Sequence, residues 1–209
     1  MASSWGVLIR IISAEEPFME ADFGETQVLI RLMVDYANMA AKKHALLNRI
    51  EIATSEEERI LLEELSSRNQ YVATLLPICA VGVQEDCRTY SYCVALSSDQ
   101  TQPNWNDLAT YARLMAQRLC VTNVTSTYLT SNILATLSDS SQRIPSCQRS
   151  VVFRPFLSQD FTTGLPTIPD THLPQEVVDK MVETVLSVSG ISRVLYDLTV
   201  KQPGKTEWE

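Results

Sequence analysis

The hydrophobic period of this chain changes at residue 71, and that change decides the fold class. Before it, apolar residues recur at helical spacing. Val28, Leu32 and Tyr36 share one stripe, continued with drift by Met39 and Leu46, which predicts helix over residues 25–50. A second helix is announced by Ser55-Glu56-Glu57-Glu58, the pattern of a capping box, with Ile60, Leu61 and Leu65 as its apolar face. From Tyr71 to Val83 the run YVATLLPICAVGV is apolar and β-branched. Over residues 87–97, Arg88, Tyr90, Tyr92, Val94 and Leu96 alternate onto one face of a strand. Gln84-Glu85-Asp86 between the two runs is a natural hairpin turn. Pro77 cannot donate to a ladder, so a bulge or a sheet edge is expected there.

The remainder repeats this alternation of periods. Leu108, Tyr111, Met115 and Leu119 predict helix over 105–120. Arg149–Ser158 reads as a strand. Pro174 opens a further helix with Val178, Met181 and Val185 inward, Gly190 is placed to end it, and Ser192–Val200 is the last strand. The opening MASSWGVLIRIISAEEP has no basic residue ahead of its apolar run, and Arg10 interrupts that run, so it reads as a buried strand and not as a secretion signal. Half of positions 122–141 are Ser or Thr, and residues 121–144 read as a poorly ordered connection with one short helix around Ile133–Leu137. The expected fold is α+β: two layers, an antiparallel sheet with helices on one face.

A weak internal repeat appears at an offset of 61 residues. Arg88 matches Arg149, Leu96 matches Leu157, Ser97 matches Ser158 and Asp99 matches Asp160, each at a strand that leads through a Pro-containing loop into an amphipathic helix. This predicts a duplicated α-β-β-α-β unit whose second copy is partial: residues 1–120 form the first unit, 121–144 the connection, and 145–209 the second unit with the C-terminal tail.

Composition excludes several classes. The formal net charge is -8, so a broad basic surface for nucleic acid is not expected. No stretch of 18 apolar residues exists, so no membrane-spanning helix is expected. The five cysteines (Cys79, Cys87, Cys93, Cys120, Cys147) are odd in number and contain no CxxC, which fits free thiols in a reducing cytosol better than zinc ligation or a disulfide framework. Only His44 and His172 offer imidazole bases, and neither lies near a nucleophile elbow or a reactive cysteine. No GxxxxGK[ST] or GxGxxG loop is present. No catalytic residue and no metal site is expected.

Two segments carry candidate binding chemistry. In the turn around Gln84–Tyr90, Asp86 and Arg88 form either an ordinary surface ion pair or a pair aimed at a polar ligand. At the terminus, KQPGKTEWE leaves a strand, turns at Pro-Gly and ends with Trp208 between two glutamates. There Lys201 suits a phosphate as a point charge, and Glu207 can accept from N–H groups.

VGVQEDCRTYSYCVALSS, IPSCQRSVVFRPFLSQDFTTGLP and GISRVLYDLTVKQPGKTEWE together resemble the C-terminal part of glutamine-hydrolysing GMP synthases of the longer eukaryotic type. IRIISAEEPF and LLPICAVGVQ are similar to it as well. The family makes GMP from XMP, ATP and ammonia released from glutamine. It uses a glutaminase domain, an ATP-pyrophosphatase domain and a C-terminal dimerisation domain that completes the XMP site. The resemblance covers only the third part. It implies XMP contacts at Asp86, Arg88, Lys201 and Glu207, homodimerisation, companion glutaminase and ATP-pyrophosphatase domains, and a cytosolic setting. ATP and Mg2+ belong to the full-length enzyme, and no cofactor is expected in this chain.

The departures from the family pattern point to a second possibility. Glu85 stands where the family turn has Gly, which would place a negative charge beside an anionic ligand. Gln202 replaces the first tail Pro, MASSWGVL replaces the family's entry segment, and a long stretch before PSCQRS is absent, including a strand and helix of the second repeat and a Gln that contacts XMP. The chain is therefore expected to be a truncated product, fragment or isoform with an uncovered strand edge. The alternative function is a non-catalytic homodimerisation module, or an inactive truncated paralogue, whose ligand site has decayed.

Overall fold

The computed structural model describes residues 4–12, 17–84, 87–98, 104–119, 123–127, 149–159 and 163–200. In chain order they form β1 (Ser4–Ile12), α1 (Phe23–Val34), α2 (Tyr36–Ala41), α3 (Leu47–Ala53), α4 (Glu56–Arg68), β2 (Tyr71–Gln84), β3 (Cys87–Ser98), α5 (Trp105–Arg118), β4 (Asn123–Thr127), β5 (Arg149–Ser158), β6 (Leu165–Pro166), α6 (Gln175–Leu186) and β7 (Ile191–Asp197). The strands make one sheet of order β1-β5-β7-β4-β3-β2, with the short β6 on β5. The expected α+β architecture holds. β1·β5, β2·β3, β4·β7 and β5·β6 pair antiparallel. Two pairings, β3·β4 and β5·β7, are parallel, because a helix carries the chain across between their strands.

The sheet has two halves of like topology. In one, β2 and β3 form a hairpin, and α5 leads from β3 to the parallel neighbour β4. In the other, β1 lies antiparallel to β5, and α6 leads from β5 to the parallel neighbour β7. β4 and β7 join the halves through Thr125–Asp197, Ser126–Tyr196 and Thr127–Leu195. Trp105 at the start of α5 crosses this joint. Its ring packs on Tyr196 at 5.3 Å, and its Nε1 donates to Gln175 at the start of α6 at 3.2 Å.

The core lies between the sheet and the helices. Tyr71, Ala73 and Leu75 of β2 are buried while Val72 is exposed, the period expected for a strand covered on one face. Tyr92, Val94 and Leu96 of β3, Val151 and Phe153 of β5, and Val194 and Tyr196 of β7 complete the sheet side. Leu108, Tyr111 and Met115 of α5 and Val178 and Val182 of α6 meet them. The Tyr196 hydroxyl donates to the Thr167 backbone carbonyl at 2.9 Å, and burial pushes its pKa up to about 12.

The capping box forms as expected. The Glu58 amide donates to Ser55 Oγ at 3.3 Å, and the Ser55 amide donates to the Glu58 carboxylate at 2.9 Å. The buried face of α4 is Leu62 and Leu65, however, and Ile60 faces solvent. Pro77 sits where the β2–β3 register shifts between Leu76 and Cys79, on the sheet's outermost strand, so bulge and edge coincide.

Three expectations are corrected. The helix over 25–50 is three helices. Asp35 breaks it first, accepting from the Asn38 side chain at 2.6 Å, and the chain breaks again around Lys43, whose φ is 51°. His44 Nδ1 then accepts the Leu46 amide ahead of α3. Within 121–144, residues Asn123–Thr127 form β4 in the middle of the sheet; Ile133–Leu137 lies outside the described residues. β1 is not a buried strand. It is the other edge of the sheet, and Val7, Ile9 and Ile11 are exposed on it.

Phe156 fixes the register of that edge. It stands opposite Gly6 and also packs over Gly164. A Cβ on Gly6 would meet the ring at 2.4 Å and one on Gly164 at 2.6 Å. Gly6→Ala is expected to lower stability by about 1–3 kcal/mol through this overlap, read from the urea midpoint. A second expectation concerns pH. The Arg118 side chain, with the Ser55 amide, holds the Glu58 carboxyl below its ordinary 4.5. The unfolded chain therefore binds that proton more readily, so the stabilisation is present above 4.5 and is lost as pH falls through and below it. The stability gap between the unmodified chain and Glu58→Gln should be wider at about pH 6 than at about pH 3.5 in urea titrations.

Candidate functional site

Strand directions define one end of the sheet as the place where the two candidate segments leave it. Ala95 of β3 stands beside Thr125 of β4, and Thr125 stands opposite Asp197 of β7. β3 and β4 are parallel and β7 runs against them. Going back along β3 towards the hairpin is therefore going forward along β7 towards the terminus. The hairpin base, where Gln84 pairs with Cys87 and Val83 with Arg88, projects from the end of the sheet towards which β7 runs to its last residue, Asp197. Two strand spacings, about 10 Å, separate β3 from β7 sideways, and the hairpin base at Cys87 lies about 26 Å further along the strand direction than Ala95, which is level with Asp197. Of the four residues singled out, Arg88 is placed by its backbone in β3; Asp86, Lys201 and Glu207 lie outside the described residues.

At the root of the tail is a buried ion pair that the sequence reading did not single out. Arg154 of β5 and Asp197 at the end of β7 lie one step beyond the Phe153–Tyr196 pairing, on the sheet face opposite the helix-side core. Arg154 Nε approaches the Asp197 carboxylate at 3.3 Å, with side-chain exposures of 7% and 0%. Arg154 Nη2 donates to the Val200 carbonyl at 3.2 Å. The other carboxylate oxygen accepts the Thr199 amide at 2.9 Å and the Thr199 hydroxyl. The available signal was a single charge inside each of two apolar runs, VVFRPF and VLYDLTV, since a charge at a core position needs a partner.

Several other polar groups among the described residues hold the fold together. Asp107 in the first turn of α5 is buried and accepts from the Tyr71 hydroxyl at 3.2 Å and from Asn69 Nδ2 at 3.1 Å. Burial and the Asp107 charge hold the Tyr71 phenol well above its ordinary value. His44 and His172 are both exposed, and each accepts a nearby backbone amide through Nδ1. An open depression of about 620 Å³ at the start of α6 is lined by the loop residues Asp170–Pro174 with Gln175 and Glu176. Among the described residues no three His, Cys, Asp or Glu gather as a metal site, and no helix is long and apolar enough to cross a membrane.

No protein-family model matches the chain. Among curated proteins it is similar to a probable glutamine-hydrolysing GMP synthase of Caenorhabditis elegans, 31% identical over 262 aligned positions that take in 96% of this chain and 33% of that protein. It is also similar to a glutamine-hydrolysing GMP synthase of Dictyostelium discoideum, 28% identical over 97% of this chain and 35% of that protein. A third, from Mesoplasma florum, is 27% identical over 78% of this chain and 21% of its own length. The chain matches part of larger glutamine-hydrolysing synthases. It belongs to the glutamine-hydrolysing GMP synthase family, and it spans about a third of the length of the first two relatives. The 262 aligned positions exceed the 209 residues present, so the Caenorhabditis elegans protein carries stretches with no counterpart here.

The Asp107 arrangement gives a direct test of the packing beside the first hairpin. Tyr71→Phe removes a donor from a buried carboxylate and should lower stability by about 1–3 kcal/mol, measured from the urea midpoint.

Proposed function

We propose that this chain is the dimerisation and XMP-site part of a GMP synthase, acting in the cytosol in the ATP-dependent amination of XMP to GMP. The observation that carries this reading is the match of nearly the whole chain to about one third of the length of two GMP synthases, beside the resemblance of the KQPGKTEWE terminus to that family. The common exit end of hairpin and tail supports it. In this reading Lys201 neutralises the 5′-phosphate, and Asp86 and Glu207 accept from ribose hydroxyls or xanthine N–H groups. Arg88, two residues along the chain from Asp86, would orient that carboxylate or meet the ligand. These residues hold the nucleotide. Activation of the base oxygen and its displacement by ammonia take place on companion domains, where ATP and Mg2+ bind.

A second reading is favoured by Glu85 in the turn and by the stretches that relatives have and this chain lacks: a self-association module whose ligand site has decayed. Light scattering and calorimetric titration with XMP separate the two. Both readings require a particle of two chains. The first also requires binding heat with XMP that Lys201→Ala abolishes. A chain that gives no heat with XMP, even beside a GMP synthase ATP-pyrophosphatase domain, leaves only the second.

A further inference from the structure

We propose that the outer edge of β1 is an interface at which a second copy of this chain adds its own β1 antiparallel, with Ile9 on the twofold axis. This rests on the two-chain particle that both readings above require, and names its surface. The two edges of the sheet are built differently. At β2 the edge is blocked. Pro77 removes a donor where the register shifts, the Gln27 side chain of α1 accepts the Leu75 amide at 2.9 Å, and the Phe18 amide donates to the Pro77 carbonyl at 3.0 Å. Among the described residues β1 carries none of these devices. It has no proline, its register with β5 is unbroken over nine pairs from Ser4–Ser158 to Ile12–Ser150, and no strand lies beyond it. Such an edge is a template for another strand.

The side chains say which strand fits. Val7, Ile9 and Ile11 lie opposite Pro155, Phe153 and Val151 and so on the helix-side face, yet they are 46%, 59% and 59% exposed. This aliphatic stripe is symmetric about Ile9. In an antiparallel pair centred there, Val7 meets the partner's Ile11 and Ile9 meets the partner's Ile9, so one sequence supplies three aliphatic cross-strand pairs. On the other face Arg10 stands opposite the partner's Leu8, and like charges are kept apart. A centre one residue later would set Arg10 against the partner's Arg10, and one residue earlier would break the aliphatic stripe by setting Ile11 against the partner's Trp5. The edge is therefore self-complementary, as a twofold contact must be. A contact one strand wide is small beside the ~800 Å² per partner of a stable complex, so the dimer should dissociate on dilution.

The test is sedimentation equilibrium of the full chain over about 1–200 μM, for the unmodified chain, Ile9→Lys, Ile9→Glu and the equimolar mixture of the two variants, with circular dichroism as the folding control. On the axis each substitution faces its own copy. Like charges should weaken self-association of either variant at least about tenfold, and the mixture, with opposite charges across the axis, should return to within about threefold of the unmodified chain. A folded variant that self-associates as tightly as the unmodified chain overturns the proposal, as does a mixture no tighter than the variants alone. Either result leaves the two-chain readings standing with their contact elsewhere. An unmodified chain that stays single at every concentration overturns the proposal and the two-chain particle together, while XMP heat decides the ligand site independently. Should the Ile9 variants fail to fold, Val7→Lys/Ile11→Lys and Val7→Glu/Ile11→Lys replace them. The first sets like charges opposite each other and should associate at least about tenfold more weakly than the second; equal association overturns the proposal.

Discussion

The short antiparallel joint between β4 and β7 is the constraint on which the rest of the molecule depends. Among the described residues three pairs make it. At about 0.2–1 kcal/mol for each cross-strand pair, those three add only modestly to what joins the two halves. The helices above it supply the remainder. Trp105 reaches from α5 to Tyr196 of the opposite half, and its indole N–H binds Gln175 of α6. Large aromatic area at a crossing point is an efficient way to join two layers.

The joint also sets which ends of the strands lie together. With β3 parallel to β4 and β7 opposed to both, a hairpin made early in the chain and a terminus made last leave by one end. A ligand held between them would be contacted by parts of the chain far apart in sequence, on strands whose spacing the core fixes.

Much of the fold was legible in the residues. The capping box at Ser55, the hairpin closed at Gln84, the bulge at Pro77 and the strand Arg149–Ser158 follow from local chemistry and are present in the structure. The failures have physical causes. β4 was hidden because Asn123–Thr127 is a polar Ser/Thr segment, although Val and Thr are good strand residues once neighbours pair with them. The long first helix broke because Asp35 and His44 offer side-chain acceptors that compete with helix continuation, a choice that a hydrophobic stripe does not register. β1 read as buried because an apolar run does not say how many neighbours a strand will have. The hairpin and tail were singled out through their resemblance to known motifs, and Asp86, Lys201 and Glu207 lie outside the described residues. The Arg154–Asp197 pair was not, because its partners sit forty-odd residues apart and meet only through the β5–β7 register.

The glycines around Phe156 carry an evolutionary consequence. A ring lodged against Gly6 and Gly164 makes three distant positions behave as one unit of variation. A homologue that acquires a side chain at either glycine must shrink the aromatic in the same lineage, so the three columns should drift together or not at all. Their covariation in related sequences would record the β1–β5 contact without any coordinates.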